Sequence, residues 1–144
     1  MRHITMLAIA ALCVAACDQG PKGVLTNGAW TCSEDDIKLS LKFADGGKLT
    51  GEIILDEGPA DGIHVKLKTG GSWDLQGESD LTFAFADVAI AEAKRGEQAM
   101  DAAEAAYFKG MFSDPEPVKA KIASISADRL VLSQDGKDDL ACTR

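Results

Sequence analysis

From Ala29 to Leu75 the chain alternates apolar and polar residues in short runs separated by turn residues, and few folds tolerate that pattern. In "DIKLSLKFA", Ile37, Leu39, Leu41 and Phe43 share one face of an extended chain, and Lys38, Ser40 and Lys42 share the other. "KLTGEIILDE" does the same with Leu49, Ile53 and Leu55. "GIHVKLKT" sets Ile63, Val65 and Leu67 against His64, Lys66 and Lys68. Successive side chains of a strand point to opposite faces, so a period of two makes one face apolar and leaves the other wet. "DGGK", "GPADG" and "GG" stand between the runs as turn signals. "SWDLQG" and "LTFAFA" continue the series with Trp73, Leu75, Leu81, Phe83 and Phe85 inward. Turns every 8–12 residues or so in such a series predict an antiparallel meander.

The period then changes. "EAKRGEQAMDAAEAAYFKGMF", residues 92–112, is rich in alanine and has no β-branched residue. Met100, Ala103, Tyr107 and Met111 recur at helical spacing with Phe108 and Phe112 beside them, which predicts a helix starting after Gly96. "SDPEP" stops it, and "VKAKIASIS", "RLVLS" and "LACTR" read as the last strands, the final one following the turn "QDGKDD". A meander of about seven to nine strands with one apolar face must close on itself or cover its edges. The expected fold is therefore mainly β: an antiparallel meander closing into a small barrel, with one helix inserted before the last strands. About eight strands enclose an interior that side chains fill or that holds one small ligand.

Ahead of the meander, Arg2 and His3 precede the apolar run "ITMLAIAALCVAA". A run of about a dozen residues is short of the roughly 20 that a spanning helix needs, and it fits a secretory signal. It ends in Val14-Ala15-Ala16-Cys17, which resembles the lipobox of bacterial lipoproteins: an aliphatic residue, two small ones, then Cys. Cys13 fits that pattern poorly because Leu12 is too large for the position before the cut. The resemblance implies that residues 1–16 are removed, that Cys17 carries acyl chains, and that the protein faces the periplasm from a membrane of the bacterial cell envelope. Asp18 is the residue that, directly after the lipidated Cys of enterobacterial lipoproteins, favours the inner membrane. Each buried CH₂ adds about 0.8 kcal/mol, so several chains anchor stably where one does not. The alternative is an ordinary thiol in a core helix, but between Ile4 and Cys17 only Thr5 is polar, and a core helix would carry polar residues at helical spacing. "DQGPKG" then reads as part of a flexible tether over 17–27, and residues 28–144 as a single domain.

Four cysteines occur in the chain. On the lipoprotein reading Cys13 leaves with the signal and Cys17 takes lipid, so Cys32 and Cys142 remain. In an oxidising compartment a lone pair reads as a disulfide, and closing a loop of about 100 residues stabilises by up to about 4.7 kcal/mol in the chain-entropy model. The alternatives are two buried free thiols or a metal site; a metal would want further Cys or His, and only His64 remains after cleavage. Cys32 shares parity with Trp30, and Cys142 with Leu140, so a bond between them would pin the first and last strands side by side, as closure requires.

Gly28-Ala29-Trp30 resembles the Gly-x-Trp that opens the first strand of lipocalins. That resemblance implies an Arg from the last strand stacked on the Trp, a place Arg144 can take. "GGSWDLQGESDLTF" is similar to the Gly-x-Trp-x-Leu-x-Gly…Leu hairpin of bacterial lipocalin-like domains. The chain departs from the family in its short length, in lacking the second lipocalin motif, and in a helix that falls between strands instead of after the barrel.

The formal net charge is −8, and −9 once Arg2 is lost with the signal. That balance argues against nucleic acid, which needs a basic patch, and suits a soluble surface. A nucleophile needs a base within reach, and His64 is placed outward between lysines, so no Ser-His-Asp triad is expected. Asp35-Asp36 and Asp138-Asp139 are neighbours whose side chains point to opposite faces. No glycine-rich phosphate loop leads into a helix. Neither a cofactor nor a metal is expected, and the chain reads as non-enzymatic. Trp30, Phe43, Trp73, Phe83 and Phe85 are either core or the lining of an apolar pocket, with the helix as plug or lid. Two functions follow. One is a lipid-anchored envelope protein holding a small apolar ligand in a lipocalin-like barrel. The other is a protein-binding module, such as an inhibitor of a basic envelope enzyme. "WTC" is similar to the start of membrane-bound lysozyme inhibitors, although their glycine-serine loop is missing here.

Overall fold

The computed structural model describes residues 20–59, 62–113 and 116–144; the apolar leader and Cys17 lie outside them. Among the described residues the elements are α1 (Pro21–Leu25), β1 (Ala29–Glu34), β2 (Ile37–Ala44), β3 (Lys48–Glu57), β4 (Ile63–Gln76), β5 (Asp80–Arg95), β6 (Gln98–Ala99), α2 (Ala102–Met111), β7 (Val118–Ile125), β8 (Arg129–Ser133) and β9 (Leu140–Thr143). Strands β1 to β5 pair each with the next, β5 pairs β7, β7 pairs β8, β8 pairs β9, and β9 returns to β1, all antiparallel. Eight strands thus close into a barrel, and the ninth, β6, pairs only the tip of β5. The expected mainly-β barrel, with one helix inserted before the last strands, is the fold.

Alternation decides which side chains enter. Leu41, Phe43, Leu49, Ile53, Leu55, Val65, Leu67, Trp73, Leu81 and Phe83 are buried, and the lysines between them are not. "DGGK" turns the chain as its composition predicts: Gly46 and Gly47 sit at φ 78° and 76°, where a Cβ is strained. The core divides in two. One cluster joins Leu25, Trp30, Phe43, Trp73, Phe83, Leu130 and the two cysteines. The other joins Ile53, Leu55, Val65 and Leu67 to Phe108 of α2.

Three local expectations are corrected. Gly70-Gly71 is not a turn; both glycines lie inside the 14-residue β4, so "SWDLQG" is no separate strand. A register shift occurs between them: Gly70 faces Asp87 and Gly71 faces Phe85, which leaves Ala86 as an extra residue in β5. A Cβ on Gly71 would lie 1.8 Å from the Ala84 carbonyl oxygen, whereas one on Gly70 would find nothing nearer than 3.9 Å. The glycine pair therefore serves close approach of two strands. Gly71→Ala is expected to destabilise by about 2–3 kcal/mol and Gly70→Ala by well under about 1, compared by urea unfolding.

The helix does not start after Gly96: residues 98–99 form β6, and the alanine-rich stretch before Gly96 is strand. β5 runs on through Arg95, with Ala93, Lys94 and Arg95 facing Val65, His64 and Ile63. Cross-strand pairing overrides the helical leaning of an alanine-rich segment. The helix starts later, at Ala102, where Asp101 caps it by accepting the Glu104 backbone N–H at 2.8 Å. Its buried residues are Ala105 and Phe108, while Tyr107 and Met111 are 66% and 56% exposed, so the expected Met100–Ala103–Tyr107–Met111 stripe is not the packed face. Met100 and Phe112 do pack against the second cluster.

The third correction concerns the tether. Residues 21–25 of the expected 17–27 tether form α1, and Leu25 is fully buried in the first cluster. The packed domain thus begins before residue 28. Pro21 in the first turn supplies a preset φ without wasting a helical N–H.

Candidate functional site

One end of the barrel is sealed by α1 and the C-terminus. Trp30 is fully buried and its indole Nε1 donates to the Leu25 carbonyl at 3.0 Å. The Arg144 guanidinium lies 4.0 Å over the Trp30 ring and also donates to the Val24 carbonyl. Trp73 Nε1 donates to the Ala44 carbonyl at 2.8 Å, and Lys22 Nζ lies 5.9 Å from the Trp73 ring. Cys32 and Cys142 face each other in the β1–β9 register and are joined as a disulfide. Of the expected aromatic set, Trp30, Phe43, Trp73 and Phe83 are buried here. Phe43 meets Trp73 at 5.5 Å and Phe83 at 6.3 Å, edge to face, which is the favoured geometry for ring pairs. Phe85 meets Phe83 at 5.9 Å but is only partly buried, at the border with the second cluster.

The other end is covered less completely. α2 buries Phe108 in one cluster with Ile53, Leu55, Val65 and Leu67, but Ile90, which faces Leu67 on the inner side of β5, stays 40% exposed. Thr69 faces inward between the two clusters, and its Oγ1 is buried without a hydrogen-bond partner. Gly51 opposes it: a Cβ there would come within 2.9 Å of Thr69 Oγ1 and 3.2 Å of Leu41 Cδ2. A groove of about 670 Å³ opens beside Thr69, with Val88, Lys109 and Ser113 in its lining. A buried hydroxyl with no partner costs about 1–3 kcal/mol. Thr69→Val is therefore expected to raise the stability of the ligand-free domain by about 1 kcal/mol, read as a higher urea midpoint; a loss of stability would show that the hydroxyl has a partner after all. Sequence reasoning missed this residue because "KTGG" reads as a strand end and turn. It missed Ile90 because the extra Ala86 shifts the alternation by one.

Among the described residues the outer face carries several exposed charge pairs. His64 bonds Asp56 through Nδ1, and its Nε2 lies 3.7 Å from Glu92. Lys94 lies 2.5 Å from Glu92, and its hydrogen bond and charge hold that carboxyl below the usual carboxylate range. Lys66 pairs Glu52 at 3.4 Å. Such exposed pairs contribute little to stability. Asp35, Asp36, Asp138 and Asp139 are all exposed, at or beside turns. Among the described residues no three His, Cys, Asp or Glu side chains are grouped so as to hold a metal. No described helix is long and apolar enough to cross a membrane. No protein-family model matches the chain, and no curated protein does.

Proposed function

We propose that this protein is a non-enzymatic, lipid-anchored protein of the bacterial envelope whose barrel takes a small apolar ligand beneath α2. The observation that carries the ligand half is the uneven interior: the Trp30 half is closed by packed rings, whereas the α2 half leaves Ile90 part-exposed and the Thr69 hydroxyl unpartnered. Val88 and the part-exposed Ile90 offer an apolar surface there, the Thr69 hydroxyl a group that can fix orientation, and Lys68, Asp87 and Lys109 also line the groove. The lipocalin-like reading is supported by the Arg144–Trp30 stack, which the Gly28-Ala29-Trp30 resemblance implied. The anchor rests on Val14-Ala15-Ala16-Cys17.

The test is native mass spectrometry of residues 18–144, produced in an oxidising compartment, before and after denaturation. A discrete mass present only in the native spectrum is expected, and it should vanish in Ile90→Trp, which fills the part-open wall. A clean apo mass, with no apolar reporter dye binding that Ile90→Trp abolishes, would sink the ligand reading.

The second reading, an inhibitor of a basic envelope enzyme of the lysozyme kind, draws on the net charge of −8 and on β5. Among the described residues β5 pairs β7 only from Asp80 to Phe83 and β6 only at Lys94 and Arg95, so the stretch between has no strand on its outer side. An unpaired edge is a template for another chain. Unchanged lysozyme activity in excess protein would remove this reading.

A further inference from the structure

We infer that the Trp30–Arg144 end of the barrel is the face held at the bilayer, with the α2 end directed away, so that an apolar ligand enters from the aqueous side and not laterally from the lipid. The inference rests on the proposal that Cys17 bears the acyl chains, and it adds the partner surface: a lipid headgroup layer.

The length of chain between anchor and fold decides it. The fold begins at once after Gly20, whose carbonyl accepts the N–H groups of Gly23 at 2.8 Å and Val24 at 3.2 Å. α1 is fixed to the barrel end by the buried Leu25, by Trp30 Nε1 on the Leu25 carbonyl and by Arg144 on the Val24 carbonyl. From Cys17 to Pro21 is four steps of chain, and an extended chain covers at most about 3.6 Å per step, so the anchor lies within roughly 15 Å of α1. The β2–β3 turn lies at this same end, through Trp73 Nε1 on the Ala44 carbonyl and Lys22 over Trp73. α2 packs instead along β4 from Val65 to Thr69, eight to four residues before Trp73. At about 3.3 Å per residue that is roughly 13–26 Å farther along the strand. The anchor is thus too short to let the barrel turn over and present α2 to the lipid. Laying a flank down is opposed by the charge of −9 that remains once Arg2 is lost with the leader, set against anionic headgroups.

Both tryptophans outside the leader, Trp30 and Trp73, stand at the proposed bilayer end, and they make the test direct. The full chain is expressed in a lipoprotein-processing bacterium and reconstituted in phosphatidylethanolamine–phosphatidylglycerol vesicles containing dansyl-headgroup lipid. Native tryptophan emission is expected to be transferred to dansyl severalfold more completely than the extra emission added by Tyr107→Trp. Tyr107 is exposed, and Met111→Trp gives a second exposed reporter on the same helix should the first disturb the fold. Intact mass reports the acyl chains separately. A chain without acyl mass on Cys17 overturns both the anchor and the orientation. A lipidated chain whose residue-107 and residue-111 reporters transfer as strongly as the native pair overturns the orientation alone.

Discussion

Replacing Cys32 and Cys142 together by alanine lowers the stability of the folded domain by about 4–5 kcal/mol, with a fall in Tm of roughly 10–20 °C. The two residues are 110 apart in sequence, so the bond removes a large loop-closure freedom from the unfolded chain. Its place in the barrel adds to the effect. β1 and β9 share only two register pairs, Thr31 with Thr143 and Cys32 with Cys142, whereas β3 and β4 share ten. The covalent link therefore clamps the thinnest seam of the ring, where the first strand meets the last. Urea unfolding of the oxidised protein and the double variant gives the difference, and amide exchange shows where it acts: β9 should lose protection before β3 and β4. A difference below about 1 kcal/mol would mean that the unfolded chain is already compact enough to make closure cheap.

Trp30→Ala is expected to cost about 3–5 kcal/mol, the range for deleting a fully buried large aromatic side chain. The indole also holds α1 through the Leu25 carbonyl and gives Arg144 its stacking surface. Arg144→Ala alone should cost about 1–2 kcal/mol, from the lost cation–π contact and the lost bond to the Val24 carbonyl. In the double variant the guanidinium has no ring left to lose, so the two costs should fall short of additivity by about 1 kcal/mol. Strict additivity in that cycle would show that the stack contributes nothing, and that Arg144 acts only on the α1 backbone.

Much of this fold is legible in the residues themselves. The alternation in Ile37–Phe43, Lys48–Glu57 and Ile63–Lys68 marks the inward faces, because a strand's period of two needs no tertiary information. "DGGK" marks its turn because glycine alone enters positive φ without strain. Parity places Cys32 and Cys142 on inner faces of the first and last strands, and the Gly28-Ala29-Trp30 resemblance points to Arg144 as the partner of Trp30. The candidate site is less legible. Phe43, Trp73 and Phe83 are visible as an inward set, but whether such rings pack together or line a space depends on neighbours far away in sequence. Ile90 and Thr69 were hidden altogether.

The reason lies in β5 and the strand that guides it. Two register shifts against β4 leave Ala86 and Ala91 unpaired, and each moves the following side chains to the opposite face. Beyond Phe85 the period of two is broken, so a 16-residue strand looks like the start of a helix. β4 alongside, opened for close approach at Gly71, supplies the partner that keeps Glu92–Arg95 extended, and β6 pairs Lys94 and Arg95 on the other side. Likewise Leu25 becomes core instead of tether only because the Trp30 indole and Arg144 reach back to hold α1. The sequence alone determined the inward faces of β2, β3 and the first part of β4 and the turn at "DGGK", since each follows from local stereochemistry, while the pairing of Cys32 with Cys142 also needed the lipoprotein resemblance to set the other two cysteines aside. The tertiary structure decided where β5 ends and α2 begins, which face of α2 is buried, and that the two ends of the barrel are filled unequally, since each depends on what lies across from a residue and not on what lies beside it.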